Sequence, residues 1–187
     1  MKTALLIIDV QNIMFEYVDC VHDANQVLAN IGKLLTKARD ESVPVIYIQH
    51  AEKKGSLSIG SSDWRIQEDI RPLDSEIVIP KYSWDSFLNT SLEEELQKQK
   101  IERLVIVGMQ TEYCVDTTVR RAYSMGYTEN ILVRDGHSTF DTPELTGSQI
   151  IGHHNAIWDD RFATLKSTDE INYSHHSQDI DSFKVHR

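Results

Sequence analysis

The stretch Ala4-Leu5-Leu6-Ile7-Ile8-Asp9 decides the fold of this chain, because five consecutive apolar residues end there on a single carboxylate. A continuous apolar run, rather than an alternating one, is typical of a strand that is buried on both faces of a parallel sheet. Further runs of this kind predict strands at Val43–Ile48, Glu76–Ile79, Leu104–Gly108 and Asn130–Val133, with a short last strand at Ala163–Leu165.

Segments with helical periodicity separate these predicted strands. They lie at Asp23–Glu41, Leu92–Lys100, Thr111–Met125 and Pro143–Trp158. Strands that alternate with helices indicate one parallel sheet that right-handed crossovers cover on both sides. We therefore predict an α/β fold of three layers with about six strands. It forms one domain over residues 1–166, and a polar tail follows over residues 167–187.

The composition argues against several classes of protein. A hydrophobic fraction of 40% and a charged fraction of 26% are ordinary for a globular domain. No apolar run reaches the roughly 18 to 20 residues that a membrane span needs. A formal net charge of −10 repels a phosphate backbone, which argues against a nucleic-acid partner. We expect a cytoplasmic protein, since the N-terminus shows no cleavable leader pattern.

Three chemically active side chains fall at the carboxyl ends of predicted strands, where open parallel sheets bind their ligands. Asp9 ends the first strand, Lys81 follows the third, and Cys114 lies in the turn after the fourth. A carboxylate can take the proton of a thiol, and an adjacent ammonium can hold that carboxylate in place. We expect the first helical turn to lower the pKa of Cys114. We also expect the amides of Gln110 and Cys114 to form an oxyanion hole.

Each of these residues also has an ordinary structural interpretation. A lone cysteine is more often a small core residue than a nucleophile. A lone aspartate after a strand is commonly a turn residue, and a lone lysine is usually solvated. The joint placement of the three favours catalysis. Cys20 has no such neighbours in the sequence, and we interpret it as structural or incidental.

Three blocks of sequence resemble the signature blocks of the isochorismatase-like hydrolases. This family includes nicotinamidases, N-carbamoylsarcosine amidohydrolases, ureidoacrylate amidohydrolases and streptothricin hydrolases. The blocks are Leu6–Asn12, Lys81–Phe87 and Val107–Val115, in the family's order. The resemblance covers about residues 3 to 165. It implies the strand order 3-2-1-4-5-6 and a catalytic triad of Asp9, Lys81 and Cys114.

The same resemblance implies further features around this triad. It places a cis peptide between Met109 and Gln110, Gln11 near the catalytic carboxylate, and a loop bearing Trp64 over the pocket. It also implies a homo-oligomer, since members of the family commonly form dimers or tetramers. The side chains that we expect to bind a small-molecule substrate are Gln11, His50, Trp64, Trp84 and Tyr113.

The sequence departs from the nicotinamidase branch at the position of its metal motif. That branch has Asp-x-His after the second strand, whereas this chain has Ile48-Gln49-His50. One histidine without a second ligand does not make a metal site. The pairs His153-His154 and His175-His176 lack acidic residues at ligand spacing. We predict neither a metal nor another cofactor, because Gly108 stands alone without a nucleotide-binding glycine motif.

Three hypotheses for the function follow. The leading one is hydrolysis of a carbon–nitrogen bond in a small amide, lactam or ureido compound through a thioester on Cys114. A second is cleavage of a vinyl ether, as in true isochorismatases, a branch that does not depend on a cysteine nucleophile. A third is a non-catalytic binding protein on the same fold. The substrate stays open, because the pocket loops rather than the triad determine it.

Overall fold

The sheet is described by a computed structural model that covers residues 1–16 and 20–173. Its strands are β1 Thr3–Ile8, β2 Val45–His50, β3 Ile77–Lys81, β4 Arg103–Met109, β5 Ile131–Ser138 and β6 Thr164–Lys166. All neighbouring strands are parallel, and they lie in the order β3-β2-β1-β4-β5-β6. The predicted α/β class and strand order are therefore confirmed.

Helices cover both faces of this sheet. Within the described ranges the α-helices are α1 Ala24–Asp40, α2 Leu92–Lys98, α3 Asp116–Ser124 and α4 Gly147–Trp158. Helix α1 packs on one face, where it contacts Leu5 and Ile7 of β1. Helices α2, α3 and α4 pack on the other face, with Leu6 and Ile8. Because successive side chains of a strand point to opposite faces, a strand covered on both sides must be apolar throughout.

The strand bounds differ from the predicted ones, in most cases by one or two residues, and the differences at two strands have a physical reason. Strand β5 continues beyond the predicted Val133 to Ser138, because its polar end pairs with the end of β4 after a register shift. Pro80 does not terminate β3, and Lys81 is the last residue of that strand. Strand β3 lies at the edge of the sheet, where a proline without an N–H group is tolerated.

Helix α4 begins at Gly147, later than the predicted start near Pro143. Thr146 caps it, since Thr146 Oγ1 accepts a hydrogen bond from the Gln149 N–H at 3.3 Å. The Thr146 N–H donates in return to Gln149 Oε1 at 2.9 Å. This reciprocal pair is a capping box, and it fixes the first turn of the helix.

The beginning of the predicted tail is packed against α1. Ile171 and Tyr173 are buried, and the Tyr173 hydroxyl donates to the Leu34 carbonyl at 3.4 Å. The Lys37 ammonium donates to the carbonyl of Ile171. The rest of the predicted tail, with the histidines His175, His176 and His186, lies outside the described residues. No helix in the part of the chain that is described is long and apolar enough to cross a membrane.

Candidate active site

The candidate site lies at the carboxyl ends of β1, β3 and β4. Asp9 follows β1 directly and has a φ of 51°, a left-handed conformation that aspartate adopts more readily than most residues. The Asp9 N–H donates to the carbonyl of Ile48 at the end of β2, at 2.9 Å. The backbone at Asp9 is thereby fixed between β1 and β2.

Gly108 brings the end of β4 close to the end of β1. It pairs with Ile8, and its φ of 132° lies in a region that favours glycine. A Cβ atom at this position would lie 2.0 Å from the Ile8 carbonyl oxygen, which is far inside van der Waals contact. Only glycine fits here, and its close approach places the turn that follows β4 beside Asp9.

The Lys81 ammonium joins the residues that the sequence predicted as a triad. Its Nζ atom lies 2.6 Å from Asp9 Oδ2 and 3.1 Å from Cys114 Sγ. It also donates to the Ser83 carbonyl at 2.9 Å and lies 3.3 Å from His50 Nδ1. Asp9, Lys81 and Cys114 are all buried. The structure thus brings an acid, an ammonium and a thiol into one cluster shielded from solvent.

The charges in this cluster stabilise each other. Burial alone would lower the pKa of Lys81, but the negative charge of Asp9 and the hydrogen bonds with Asp9 and Cys114 outweigh burial and raise that pKa above its ordinary value. The ammonium therefore stays protonated. The Lys81 ammonium pairs with Asp9 Oδ2, and Asp9 Oδ1 accepts no hydrogen bond from the described residues. Asp9 thus retains lone pairs that can accept a proton from a thiol or from water.

Cys114 lies in a π-helical turn, Thr111–Val115, which leads directly into α3. The Gln110 carbonyl closes this turn by accepting the N–H groups of Tyr113 and Val115 at 3.2 and 3.1 Å. Single π-turns of this kind are frequent at functional sites. The turn replaces the regular α-helical start that the sequence predicted at Thr111.

The two amides predicted to form an oxyanion hole lie at this turn. The peptide bond between Met109 and Gln110 is cis, at the position that the family resemblance implies. Gln110 precedes the turn and Cys114 is its fourth residue, and the first N–H groups of a helical segment have no intrahelical acceptor. Such N–H groups can donate to a developing oxyanion.

The expected lowering of the Cys114 pKa is wrong. Burial is the largest cause, and together with the negative charge of Asp9 it raises the pKa of Cys114 to about 12. The Lys81 charge acts in the opposite direction and does not compensate. The free N–H groups of a first helical turn can be predicted from the sequence, whereas the burial of the sulfur cannot. At neutral pH the resting group is therefore a thiol, and it needs a base for attack.

An open cavity of about 580 Å³ adjoins this cluster. It is lined by His50, Ala51, Glu52, Lys53, Tyr82, Ser83 and Trp84. The Trp84 ring stacks on His50, with centroids 5.6 Å apart and planes at 14°. The Tyr113 ring lies 5.8 Å from the Trp84 ring. Three predicted substrate-binding side chains, His50, Trp84 and Tyr113, thus lie next to each other at the mouth of the site.

The other two predicted substrate-binding residues, Gln11 and Trp64, do not line this cavity. Gln11 is fully buried, and its Nε2 donates to the carbonyls of His50 at 3.0 Å and Trp64 at 2.7 Å. Its Oε1 accepts the His50 N–H at 3.0 Å. Both side-chain N–H groups are thereby used, so Gln11 fastens the loop bearing Trp64 to the end of β2.

Sequence reasoning missed three contributors to the site. The Ser83 carbonyl, which holds Lys81, is a backbone group and has no sequence signal beyond the block that contains it. Glu52 and Lys53 bring charges of both signs to the cavity. They lie in the long polar loop after β2, whose path no periodicity predicts.

Histidines in the described part of the chain do not assemble into a metal site. Residues 1–16 and 20–173 contain no group of three or more His, Cys, Asp or Glu side chains placed to hold a metal ion. Burial, followed by the nearby charge of Lys81, lowers the pKa of His50. The ring of His154 packs on Trp158, and its Nδ1 lies 3.0 Å from the Ile150 carbonyl.

Comparison with known proteins finds one family over most of the chain. The isochorismatase domain family matches residues 3–156. The isochorismatase family protein YrdC of Bacillus subtilis is 33% identical over 177 residues, which cover 91% of this chain and 94% of that protein. A ureidoacrylate amidohydrolase of Agrobacterium fabrum is 29% identical over 67% of this chain and 72% of its own length. A crystal structure of an isochorismatase family protein matches 88% of this chain and 98% of its own, with a TM-score of 0.83 and 35% identity.

Proposed function

We propose, since this chain belongs to the isochorismatase family of hydrolases, that it cleaves a carbon–nitrogen bond through a thioester on Cys114. The observation that carries this proposal is the position of one buried ammonium. Lys81 Nζ lies 2.6 Å from Asp9 Oδ2 and 3.1 Å from Cys114 Sγ, beside an open cavity. A base, a nucleophile and a fixed positive charge are the parts that acyl transfer needs.

In the first half of the reaction, Asp9 takes the proton of the Cys114 thiol as the sulfur attacks the substrate carbonyl carbon. The N–H groups of Gln110 and Cys114 donate to the oxygen that becomes negative. Asp9 then gives its proton to the substrate nitrogen, the carbon–nitrogen bond breaks, and the amine or ammonia leaves. Lys81 keeps the carboxylate in place and balances its charge throughout.

In the second half, water enters and Asp9 takes one of its protons. The resulting hydroxide attacks the thioester carbon, and the same two N–H groups stabilise the second tetrahedral intermediate. The carbon–sulfur bond then breaks and the acid product forms. The sulfur recovers its proton from Asp9, which returns the site to its resting thiol. The raised pKa of Cys114 makes this last protonation favourable.

The walls and the size of the cavity support a small-molecule substrate. Trp84 and Tyr82 offer exposed aromatic surface in the cavity, with Tyr113 next to Trp84, whereas Glu52 and Lys53 offer charge. About 580 Å³ falls in the range of sites for small ligands. We therefore propose a small amide, lactam or ureido compound as the substrate. The amidohydrolase named among the relatives supports this choice.

A panel of primary amides, lactams and ureido acids tests the proposal. We expect the parent to hydrolyse at least one of them, and Cys114→Ala to abolish that turnover. Mass spectrometry of a proteolytic digest of the parent, quenched during turnover, should show the acyl group on a peptide that contains Cys114. A parent that cleaves vinyl ethers but none of the amides would contradict the proposed bond.

Cys20 provides a matched control, because it is the other cysteine of the chain and is exposed. Cys20→Ala should retain the parental kcat, and iodoacetamide at alkaline pH, where more of the Cys114 thiol is ionised, should inactivate the variant and the parent at the same rate. Retained turnover in Cys114→Ala, or loss of turnover in Cys20→Ala alone, would rule out Cys114 as the nucleophile.

A further inference from the structure

Near the proposed nucleophile lies a row of buried, hydrogen-bonded side chains that takes no part in the proposed reaction. His137 is buried near the end of β5, and its Nδ1 lies 2.9 Å from the hydroxyl of Thr111. Its Nε2 lies 3.0 Å from Asn155 Oδ1, on α4. Thr111 is the first residue of the π-turn that contains Cys114. These hydrogen bonds therefore connect α4 through β5 to the turn that contains Cys114.

The other hydrogen bond of Asn155 determines which atom donates in each of the two His137 hydrogen bonds. Asn155 Nδ2 donates to the Arg134 carbonyl at 3.3 Å, so the oxygen of that amide faces His137. An amide oxygen only accepts, and His137 Nε2 therefore carries the proton. Burial lowers the pKa of His137 to about 4, which keeps the ring neutral at ordinary pH. Nδ1 is then an acceptor, and the Thr111 hydroxyl donates to it.

The π-turn has a second attachment to the same strand end. Thr139 donates from its hydroxyl to Glu112 Oε1 at 2.8 Å. Thr111 and Glu112 are thus both bonded to residues at or just beyond the end of β5, and His137 pairs directly with Gly108 in the sheet. Two consecutive residues of the turn have fixed side chains, while Cys114 follows close behind them.

We propose that His137, oriented by Asn155, is a positioning residue that holds the Cys114 turn in register through the hydroxyl of Thr111. It contacts neither the substrate nor the reacting atoms. Its effect is on the placement of Cys114 Sγ and of the turn N–H groups relative to Asp9 and Lys81. This inference rests on the proposed function, because it assigns a partner to the proposed nucleophile.

The expected signature is a loss in kcat without a matching change in KM. Displacing a nucleophile by a fraction of an ångström to 1 Å reduces the rate of the chemical step by about 10- to 100-fold. The residues that line the cavity lie outside this turn, and Tyr113 is the one predicted substrate-binding side chain on it. Substrate affinity should therefore change by less than about twofold, on the order of the effect of a surface change. If His137 only filled the core, loss of its hydrogen bond to Thr111 would reduce the stability of the fold and leave kcat unchanged.

The test uses Thr111→Val, which keeps the shape of the side chain but removes its hydroxyl. We expect kcat on the best amide to fall by about tenfold or more with KM nearly constant. Thr111→Ser retains the hydroxyl and should restore most of kcat. Asn155→Leu removes the acceptor for His137 Nε2 and should reproduce the loss. These variants avoid replacing His137 itself, whose ring fills space in the core.

Thr3→Val is the matched control. Thr3 is a buried threonine at the opposite end of β1, and its hydroxyl accepts a hydrogen bond from Arg103 Nε at 2.9 Å. It should lose stability much as Thr111→Val does, yet keep the parental kcat. Equal kcat values in Thr111→Val, Thr3→Val and the parent would overturn the positioning role. So would a kcat in Thr111→Ser as low as in Thr111→Val.

Cys114→Ala, measured on the same substrate, separates this inference from the proposed function. If Cys114→Ala retains turnover, the proposed nucleophile is wrong. If Cys114→Ala is inactive and Thr111→Val has a normal kcat, the proposed nucleophile stands and only the role of His137 is overturned.

Discussion

At the scale of single residues, the site depends on the balance of charge around one sulfur. Burial and the negative charge of Asp9 raise the pKa of Cys114, whereas the Lys81 charge lowers it. In the resting protein this balance keeps the proton on sulfur. Asp9 is thus responsible both for the inert resting state and, as the proposed base, for the activation of the thiol.

Replacing Asp9 by Asn separates these two effects. Without the carboxylate charge the pKa of Cys114 should fall, because Lys81 then acts on the sulfur unopposed by a negative neighbour. Turnover should nevertheless be lost, since no group remains to protonate the leaving nitrogen. Ultraviolet titration of thiolate absorbance in a Cys20→Ala background measures the pKa, and the amide assay measures turnover.

The exposed Asp74→Asn variant is the control for this experiment, and it should match the parent in both measurements. An Asp9→Asn variant with an unchanged or higher pKa at Cys114 would contradict the charge balance. An Asp9→Asn variant with parental turnover would contradict the proposed base.

The sequence predicted these residues to the extent that chain topology determines them. Asp9, Lys81 and Cys114 could be grouped because parallel strands end at one edge of the sheet. The pKa of Cys114 could not be predicted, because burial depends on packing from several elements. The pairing of His137 with Thr111 was missed for the same reason, since the two lie on different elements and the extension of β5 brings them together.

At the scale of secondary-structure elements, the site depends on how closely β1 and β4 approach at their carboxyl ends. The close contact of Gly108 with the Ile8 carbonyl permits this approach. The sequence showed Gly108 only as a lone glycine without a nucleotide-binding motif. Its actual role, a positive φ at a strand contact, is visible only when the neighbouring strand is in place.

Gly108→Ala should therefore destabilise the fold strongly. The new Cβ would meet the Ile8 carbonyl oxygen at 2.0 Å in a backbone conformation that alanine disfavours. We expect a loss of more than about 4 kcal/mol in the free energy of unfolding, as for severe core changes, or failure to fold. Urea unfolding of the parent and the variant measures the difference.

Gly32→Ala is the control for the same measurement. Gly32 lies inside α1, and a Cβ added there meets no atom within 4 Å. Alanine should stabilise this helix by about 0.5 to 1 kcal/mol. Equal unfolding free energies for Gly108→Ala and the parent would show that β1 and β4 can separate without cost.

At the scale of the whole molecule, the buried histidine couples the stability of the fold to pH. Burial lowers the pKa of His137 in the folded state to about 4. The hydrogen bond with Asn155 and the charge of Asp135 act to raise this pKa, whereas His154 lowers it, and burial outweighs the others. The unfolded chain has the ordinary value of about 6.5. As the pH falls, the unfolded state thus binds a proton before the folded state does.

The free energy of unfolding should consequently decrease as the pH falls from about 6.5 to about 4, by about 3 kcal/mol from this group. Below the folded pKa this contribution is exhausted. Urea unfolding across that pH range measures the slope of the unfolding free energy against pH, and His137→Gln should flatten this slope.

The exposed His153→Gln variant is the control and should keep the parental slope. A parental slope in His137→Gln would show that other groups cause the acid sensitivity.

Trp84 gives the molecule a built-in optical reporter. It is 56% exposed at the mouth of the cavity, whereas Trp158 is completely buried in the core. A compound that enters the cavity covers the Trp84 indole and changes its fluorescence, while the emission of Trp64 and Trp158, which do not line the cavity, should stay constant. Candidate compounds can therefore be ranked by titration before any of them is known to react. The search for the substrate can begin from binding alone, with inactive Cys114→Ala protein and without a coupled assay.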